Sequence, residues 1–269
     1  MQRLGCQTYT WEMLGPSWRG TTDDLLAAIG GAGYAGIEIT DRMIGSYAER
    51  PAAFAAALAA HRVELIAFAW ASASGFTEPD AFSSDLAAAA KVLDFVARFP
   101  GATLSLGSAT VMTPGSREEK FATAAKIYNA VGLIGQRLGV PVAFHPSSHH
   151  NTLLGNRTDY DKIMALADPA LVGWVPDTGH ILRGGMDIID TLRTHLSRVR
   201  YLHLKDVDAN GRWQMLGEGI CPTATVVELV RTAPDFDGWL VLEEESDTAA
   251  ADPAAAVRRN RQTLLAMLV

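Results

Sequence analysis

The feature that most constrains this chain is a rhythm: a short apolar run followed by a longer helical run, repeated about eight times. The strand candidates are Arg3–Thr10, Gly36–Thr40, Glu64–Trp70, Thr103–Gly107, Val140–His145, Val172–Asp177, Arg200–Lys205 and Trp239–Glu243. Helical patterns lie between them and after the last. Strict alternation of this kind means parallel strands with helices outside. Strands buried on both faces are nearly continuous in apolar residues, as Val140–Phe144 and Leu240–Leu242 are. Eight such units close into a (β/α)₈ barrel, which needs about 250 residues; the chain has 269. A doubly wound open sheet is the competing architecture. It would carry a glycine-rich phosphate turn after its first strand, and Thr10-Trp11-Glu12-Met13 has no such pattern.

Local signals agree with the rhythm. Thr22-Asp23-Asp24 opens a helix that Gly30, Gly31 and Gly33 end. Asp80 to Phe99 has helical spacing and stops at Pro100-Gly101. Ser116-Arg117-Glu118-Glu119 is a near capping box before a helix over Phe121 to Leu138. Thr158-Asp159 opens another, and Pro253 stands at the start of the last. No linker or charge block divides the sequence, so residues 1–269 are expected to be one domain.

In such barrels, active sites lie where the strands end, at their C-terminal side. Here the strand ends change from apolar to ionisable residues: Glu38, His145, Asp177, His203 and Lys205, Glu243. Alternation places Tyr201, His203 and Lys205 on one face with Leu202 and Leu204 on the other. Val241 and Glu243 likewise oppose Leu240 and Leu242. A lone strand-end histidine is ordinarily a hydrogen-bonded structural residue. Two carboxylates and two imidazoles gathered in a half-buried mouth are costly unless a cation compensates them. His145, Asp177, His203 and Glu243 are therefore the expected ligands of one divalent metal. Mixed nitrogen and oxygen donors suit Mn²⁺ best, with Co²⁺, Zn²⁺, Fe²⁺ and Mg²⁺ as alternatives.

Other residues near the strand ends are candidates for substrate. His180 is placed to bind a substrate hydroxyl, and Glu38 to support a ligand or touch substrate. Lys205 could hold a phosphate or carboxylate, act as acid or base, or simply pair with a neighbouring carboxylate. Trp11, Trp70 and Phe76 could stack on a sugar face or pack in the core. His149 and His150 could join the metal or lie in a solvated loop. Gly217-Glu218-Gly219 is a short motif whose glycines let backbone approach a ligand.

Composition excludes some classes. A net charge of −7 argues against a nucleic-acid surface. Cys6 and Cys221 form no disulfide framework and are expected to be reduced, in a cytoplasmic protein. Met1 to Cys6 has no apolar stretch after its charge and reads as no signal peptide. Ala52 to Ala60 is too short to span a bilayer. The expected partner is a small molecule, without nucleic acid or membrane; a homo-oligomer is compatible with the reading.

The segments Gly33-Tyr34-Ala35-Gly36-Ile37-Glu38, Asp177-Thr178-Gly179-His180, His203-Leu204-Lys205-Asp206, Leu216-Gly217-Glu218-Gly219 and Gly238-Trp239-Leu240-Val241-Leu242-Glu243 resemble the sugar phosphate isomerase/epimerase family, in that order. This is a family of xylose isomerase-like TIM barrels that includes inosose dehydratases, ketose 3-epimerases and hydroxypyruvate isomerases. The resemblance implies a divalent metal, with Asp177, His203 and Glu243 among its ligands. In ketose 3-epimerases a glutamate at the strand-five position pairs with the strand-eight glutamate to exchange protons. Here that position is His145, which cannot reproduce a pair of carboxylate bases. The histidine-rich turn after strand five and Glu243-Glu244-Glu245-Ser246-Asp247 resemble inosose dehydratases instead.

The implied chemistry is proton abstraction beside a carbonyl, through an enediolate stabilised by the metal, with Glu243 or His149 as base. Isomerase, epimerase and dehydratase outcomes differ only in the last proton step, and the resemblance leans towards the dehydratase. Two rivals are a non-catalytic or partner-dependent sugar-binding barrel, and an endonuclease IV-like nuclease. The nuclease would need three metals and a DNA grip, for which the sequence shows no basic patch.

Overall fold

The computed structural model describes residues 3–268. Met1 and Gln2, on which the reading of the N-terminus partly rests, lie outside the described residues. The strands are β1 (Arg3–Gln7), β2 (Gly36–Thr40), β3 (Glu64–Trp70), β4 (Thr103–Leu106), β5 (Val142–Phe144), β6 (Gly173–Trp174), β7 (Leu202–Leu204), the short pair β8 (Asp206–Val207) and β9 (Trp213–Gln214), and β10 (Trp239–Leu242). The helices are α1 (Tyr9–Glu12), α2 (Thr22–Gly31), α3 (Pro51–His61), α4 (Phe82–Val96), α5 (Arg117–Leu138), α6 (Arg157–Leu166), α7 (Thr178–Arg183), α8 (Ile188–Thr194), α9 (Thr223–Val230), α10 (Asp247–Ala251) and α11 (Pro253–Met267).

Eight strands form one parallel sheet in the order β6-β5-β4-β3-β2-β1-β10-β7. Two parallel backbone bridges, Trp174 to Val199 and Asp177 to His203, join its two ends and close the circle. The expected (β/α)₈ barrel is present. Alternation sorts the side chains as the sequence indicates. Tyr201 and Val241 pack inside the barrel with Ile66, Ala67, Ala143, Val175 and Trp239. Leu202, Leu204, Leu240 and Leu242 join the larger outer core under the helices. Gly36 makes room for this filling: a Cβ there would lie 2.6 Å from Ile66 and 2.7 Å from Trp239.

The helix boundaries follow local chemistry. Thr21 and Asp24 form a full capping box at α2. Asn156 caps α6 and Asp252 caps α11, where Pro253 takes the first position. Gly139 ends α5 in the left-handed conformation, φ 70°. Ser116 precedes α5, but its side chain makes no capping bond, so the near capping box there does not form.

Two differences matter for the site. The first strand stops at Gln7 rather than Thr10, because Gln7 Oε1 accepts the Tyr9 backbone N–H at 2.6 Å and turns the chain into α1. After β7 the chain adds the antiparallel pair β8–β9. Its connecting turn is set by the Asp208 carboxylate, which accepts the N–H groups of Asn210 and Arg212, and by Gly211 at φ 75°. Among the described residues no helix is long and apolar enough to cross a membrane.

Candidate metal centre

Each ionisable strand end is delivered by a specific backbone feature. His145 directly follows β5, and its N–H still donates to Leu106 O at 2.8 Å, continuing the ladder. Asp177 is the N-cap of α7: its Oδ1 accepts the His180 N–H at 2.8 Å. That leaves Oδ2 to face the barrel axis. His203 is central in β7, and Glu243 directly follows β10. One nitrogen or oxygen from each of these residues falls within 4.8 Å of the others.

The polar accounting at this point leaves two buried atoms over. Asp177 Oδ2 and His145 Nε2 are buried and have no hydrogen-bond partner; the two atoms lie 3.5 Å apart. His203 Nδ1 lies 3.7 Å from Asp177 Oδ2 and 3.0 Å from Glu243 Oε2. Buried polar atoms are nearly always satisfied, and orphans of this kind call for an explanation. Two imidazole nitrogens and two carboxylate oxygens converging on one point are a donor set that fits a divalent transition metal.

Glu38 stands behind the cluster. Its Oε2 accepts from His203 Nε2 at 2.6 Å, and both side chains are only 1 % exposed. This fixes a proton on Nε2 and turns Nδ1 towards Asp177 and Glu243, the arrangement by which outer carboxylates orient metal-binding histidines. Burial opposes charge on His203, but Glu38, Asp177 and Glu243 outweigh it and hold its imidazole well above the usual range. A proton and a metal ion would thus compete for Nδ1. Burial also opposes ionisation of Asp177 and Glu243. For Asp177 the opposition is overcome by Lys205, with help from His145 and His203. For Glu243 it is overcome by Lys205 and His203. Both carboxyls are held below the ordinary carboxylate range.

Lys205 is 1 % exposed and locked in place. Its ammonium donates to Glu243 Oε1 at 2.9 Å and to Glu245 Oε1, and lies 4.2 Å from the Trp213 ring centre. Burial works against its charge, but Glu243, Glu245 and Asp177 hold it above the usual lysine range. Of the roles open to Lys205, the carboxylate pair is the one the geometry displays. Its remaining neighbours are His180 Nε2 at 3.4 Å and the Trp213 ring.

A cavity of about 260 Å³ opens over the cluster. His145, His149, His180 and Glu243 form one side, and Gln7, Tyr9, Glu12, Thr40 and Trp70 contribute to the other. That is just under the roughly 300 Å³ at which small-molecule pockets begin, which limits the occupant to a small molecule. His180 is buried, and its Nδ1 accepts the Ser148 N–H at 3.0 Å. Burial, opposed by Asp177 and reinforced by Lys205, holds that imidazole well below the usual range, so it is neutral.

Several candidates are placed elsewhere. Trp11 is 4 % exposed in the core and does not line the cavity, because the early turn into α1 carries it inward and presents Tyr9 and Glu12 instead. Phe76 is buried against Trp70 and Tyr128. His149 stays out of the four-residue cluster and groups with His180 and Glu245; His150 is exposed. The glycines of Gly217-Glu218-Gly219 approach a protein carboxylate rather than a ligand. Asp206 accepts the N–H groups of Val207, Gly217, Gly219 and Cys221. A Cβ on Gly219 would stand 2.2 Å from Asp206 Oδ1. Sequence reasoning did not single out Glu245, Tyr9, Glu12, Gln7 or Ser148. For Glu245 the signal was available, since it continues the inward alternation two residues past Glu243.

Fold and site together define a class: a closed eight-stranded parallel barrel with a His/Asp/Glu cluster at the C-terminal mouth of its strands. A family model described as xylose isomerase-like TIM barrel matches residues 26–267. The chain belongs to that family. Inosose dehydratase 2 of Bacillus cereus is 30 % identical over 158 residues, which cover 52 % of this chain and 52 % of that protein. The chain thus spans about half the length of the curated relatives it matches. Among solved structures, IOLI protein with a bound zinc superposes with a TM-score of 0.78 at 15 % identity, covering 100 % of this chain and 98 % of that one. The 3-keto-D-glucoside 4-epimerase YcjR of E. coli gives a TM-score of 0.77 at 16 % identity, covering 99 % and 100 %. At these identities the structural likeness concerns the fold.

Proposed function

We propose that this barrel is a divalent-metal-dependent enzyme that removes a proton beside the carbonyl of a small keto-sugar or cyclic keto-polyol, and that its reaction is the loss of water. The observation that carries the reading is the pair of buried, unpartnered atoms, Asp177 Oδ2 and His145 Nε2, within the four-residue cluster. Residues 1–269 act in this reading as one catalytic domain.

His145, Asp177, His203 and Glu243 would hold the metal, with Mn²⁺ the first choice for a mixed nitrogen and oxygen set. Bound there, it supplies Lewis-acid stabilisation of negative charge developing on substrate oxygen. The protein's own groups do the rest. Glu38 holds the His203 ring, and Lys205 neutralises Glu243 and Glu245. Trp70 offers an aromatic surface to substrate, while His180, Gln7, Tyr9 and Glu12 offer hydrogen-bonding groups. Neither Glu243 oxygen is left free in this reading: Oε1 accepts from Lys205 and Oε2 would face the metal. This favours His149, on the cavity wall, as the base over Glu243.

The dehydratase outcome draws support from two sources. One is the similarity to inosose dehydratases over about half the chain. The other is His145 itself, an imidazole where an epimerase of the two-carboxylate kind needs a second glutamate. The test is turnover of 2-keto-myo-inositol by metal-loaded protein, followed by absorbance of the enone product. Formation of the enone supports the reading. Epimerised or isomerised sugars in place of enone would redirect it to an isomerase.

A further inference from the structure

Glu245 shares the inward face of Glu243 and is nearly buried, its side chain 7 % exposed. Three nitrogens approach its Oε1: Lys205 Nζ, His149 Nε2 at 3.8 Å and His180 Nε2 at 4.0 Å. The two histidines are not equivalent. His180 is buried, with Nδ1 already taken by the Ser148 N–H. His149 lines the cavity, its side chain is 42 % exposed, and its Nδ1 makes no hydrogen bond among the described residues. Its ring rests against His180, 5.0 Å between centres, and lies 5.9 Å from Tyr9.

His149, His180 and Glu245 also have the atoms of a second metal site. The surroundings speak against one. The Lys205 ammonium sits on the Glu245 oxygen that the histidines approach and lies 3.4 Å from His180 Nε2, the nitrogen that would have to bind. A cation there would meet an ammonium already in contact with two of its three ligands. A carboxylate behind an imidazole has another use: it fixes which nitrogen carries the proton and stabilises the imidazolium when it forms.

We propose that Glu245 is a positioning residue, held by Lys205, that directs His149 Nε2–H towards its own Oε1 and leaves His149 Nδ1 to exchange protons with substrate. This rests on the reading of His149 as the base. The present separation of 3.8 Å exceeds hydrogen-bond length. The proposal requires the half-exposed ring to shift and close it, and catalytic hydrogen bonds are commonly long before substrate is engaged. In the reaction, His149 Nδ1 takes the proton from the carbon beside the carbonyl, and the C–H electron pair passes into the enediolate. The imidazolium, hydrogen-bonded to Glu245, returns that proton to the β-hydroxyl. The C–O bond breaks, its electron pair leaves with the oxygen, and water and enone are released. No net proton or oxidant is required.

The test uses the metal-loaded full chain and its Glu245→Gln, Glu245→Asp, His149→Gln and Glu245→Gln/His149→Gln variants. Metal content is measured for each. Histidine ¹⁵N NMR reports the His149 tautomer, and turnover is measured on 2-keto-myo-inositol. The wild type is expected to hold the Nε2–H tautomer. Glu245→Gln is expected to mix the tautomers and lower kcat at least tenfold, with KM changed less than twofold, and Glu245→Asp to recover part of the loss. In the His149→Gln background the Glu245 substitution is expected to cost nothing further. If Glu245→Gln does not fold, a mixed tautomer in Glu245→Asp carries the same expectation. A His149 tautomer indifferent to position 245 overturns the proposal whether or not any substrate reacts. Full turnover by His149→Gln also overturns it. A responsive tautomer in a protein that turns over no keto-polyol supports the Glu245–His149 pair and counts against the reaction, so the two failures are distinct.

Discussion

Asp177 and His203 are partners in the backbone bridge that closes the barrel, and their side chains meet at 3.7 Å between Oδ2 and Nδ1. The seam of the fold and the centre of the candidate site are therefore the same place. Residues paired across parallel strands point to the same side of the sheet. Closing the barrel in this register brings the two side chains together without help from any loop. Asp177 divides its two oxygens between the tasks, Oδ1 capping α7 and Oδ2 facing His203.

This division separates two effects of substitution. Asp177→Ala removes both oxygens and should cost about 1 kcal/mol of metal-free stability through the lost cap. Asp177→Asn keeps a cap acceptor and should cost less. Both should lower bound metal below a tenth of an equivalent and abolish turnover. Urea unfolding with chelator present, and mass spectrometry of the loaded proteins, check the two halves separately.

Glu38 acts only through His203. Replacing it by Gln should weaken metal binding about tenfold, and by Ala nearer a hundredfold, within the range for outer carboxylates. Competition with a fluorescent chelator measures this. An unchanged affinity in Glu38→Ala would mean that His203 is oriented by its other neighbours.

Gly219→Ala tests the loop after β9. The added methyl would meet Asp206 Oδ1 at 2.2 Å and the backbone oxygen of Val207 at 2.3 Å. Overpacking of this kind typically costs about 1–3 kcal/mol. Thermal unfolding should fall accordingly, while the metal content of the folded protein stays at the wild-type level.

At the opposite end of the barrel, Asp237 accepts the Trp239 N–H at 3.0 Å. Burial pushes its carboxyl from an ordinary 3.8 up to about 6. The folded state then binds more protons than the unfolded state between these values. Its contribution to stability falls as pH rises from about 4 to about 6, by up to about 3 kcal/mol at 1.36 kcal/mol per pH unit. Asp237→Asn keeps the acceptor and removes the titration. It should match wild type near pH 4 and exceed it in stability at pH 7, in denaturant titrations at both pH values.

Much of this was legible in the sequence, for reasons that differ by residue. Gly36–Thr40 and Glu64–Trp70 match their strands end for end: Ile37 and Ile39 alternate with Glu38 in the first, and Leu65–Trp70 is a continuous apolar run in the second. His145, Asp177 and Glu243 stood out because each ends a largely apolar run, and His203 because it alternates with Leu202 and Leu204. Trp11 packs in the core, the second of its two readings, because a side chain, Gln7, turns the chain early, and strand propensity does not see that bond. The carboxylate behind the glycines of residues 217–219 was equally hidden, since Asp206 lies eleven positions before Gly217. The roles of Lys205 stayed open because its two carboxylate partners lie 38 and 40 positions further on.

The central claim is a metal held by four named side chains, and anomalous diffraction from a crystal soaked in Mn²⁺ tests it most directly. The account predicts one strong peak per chain at about 2.0–2.3 Å from His145 Nε2, Asp177 Oδ2, His203 Nδ1 and Glu243 Oε2, allowing the usual range of metal–ligand bonds. A soaked crystal with no peak there, or with its peak on other residues, would contradict it.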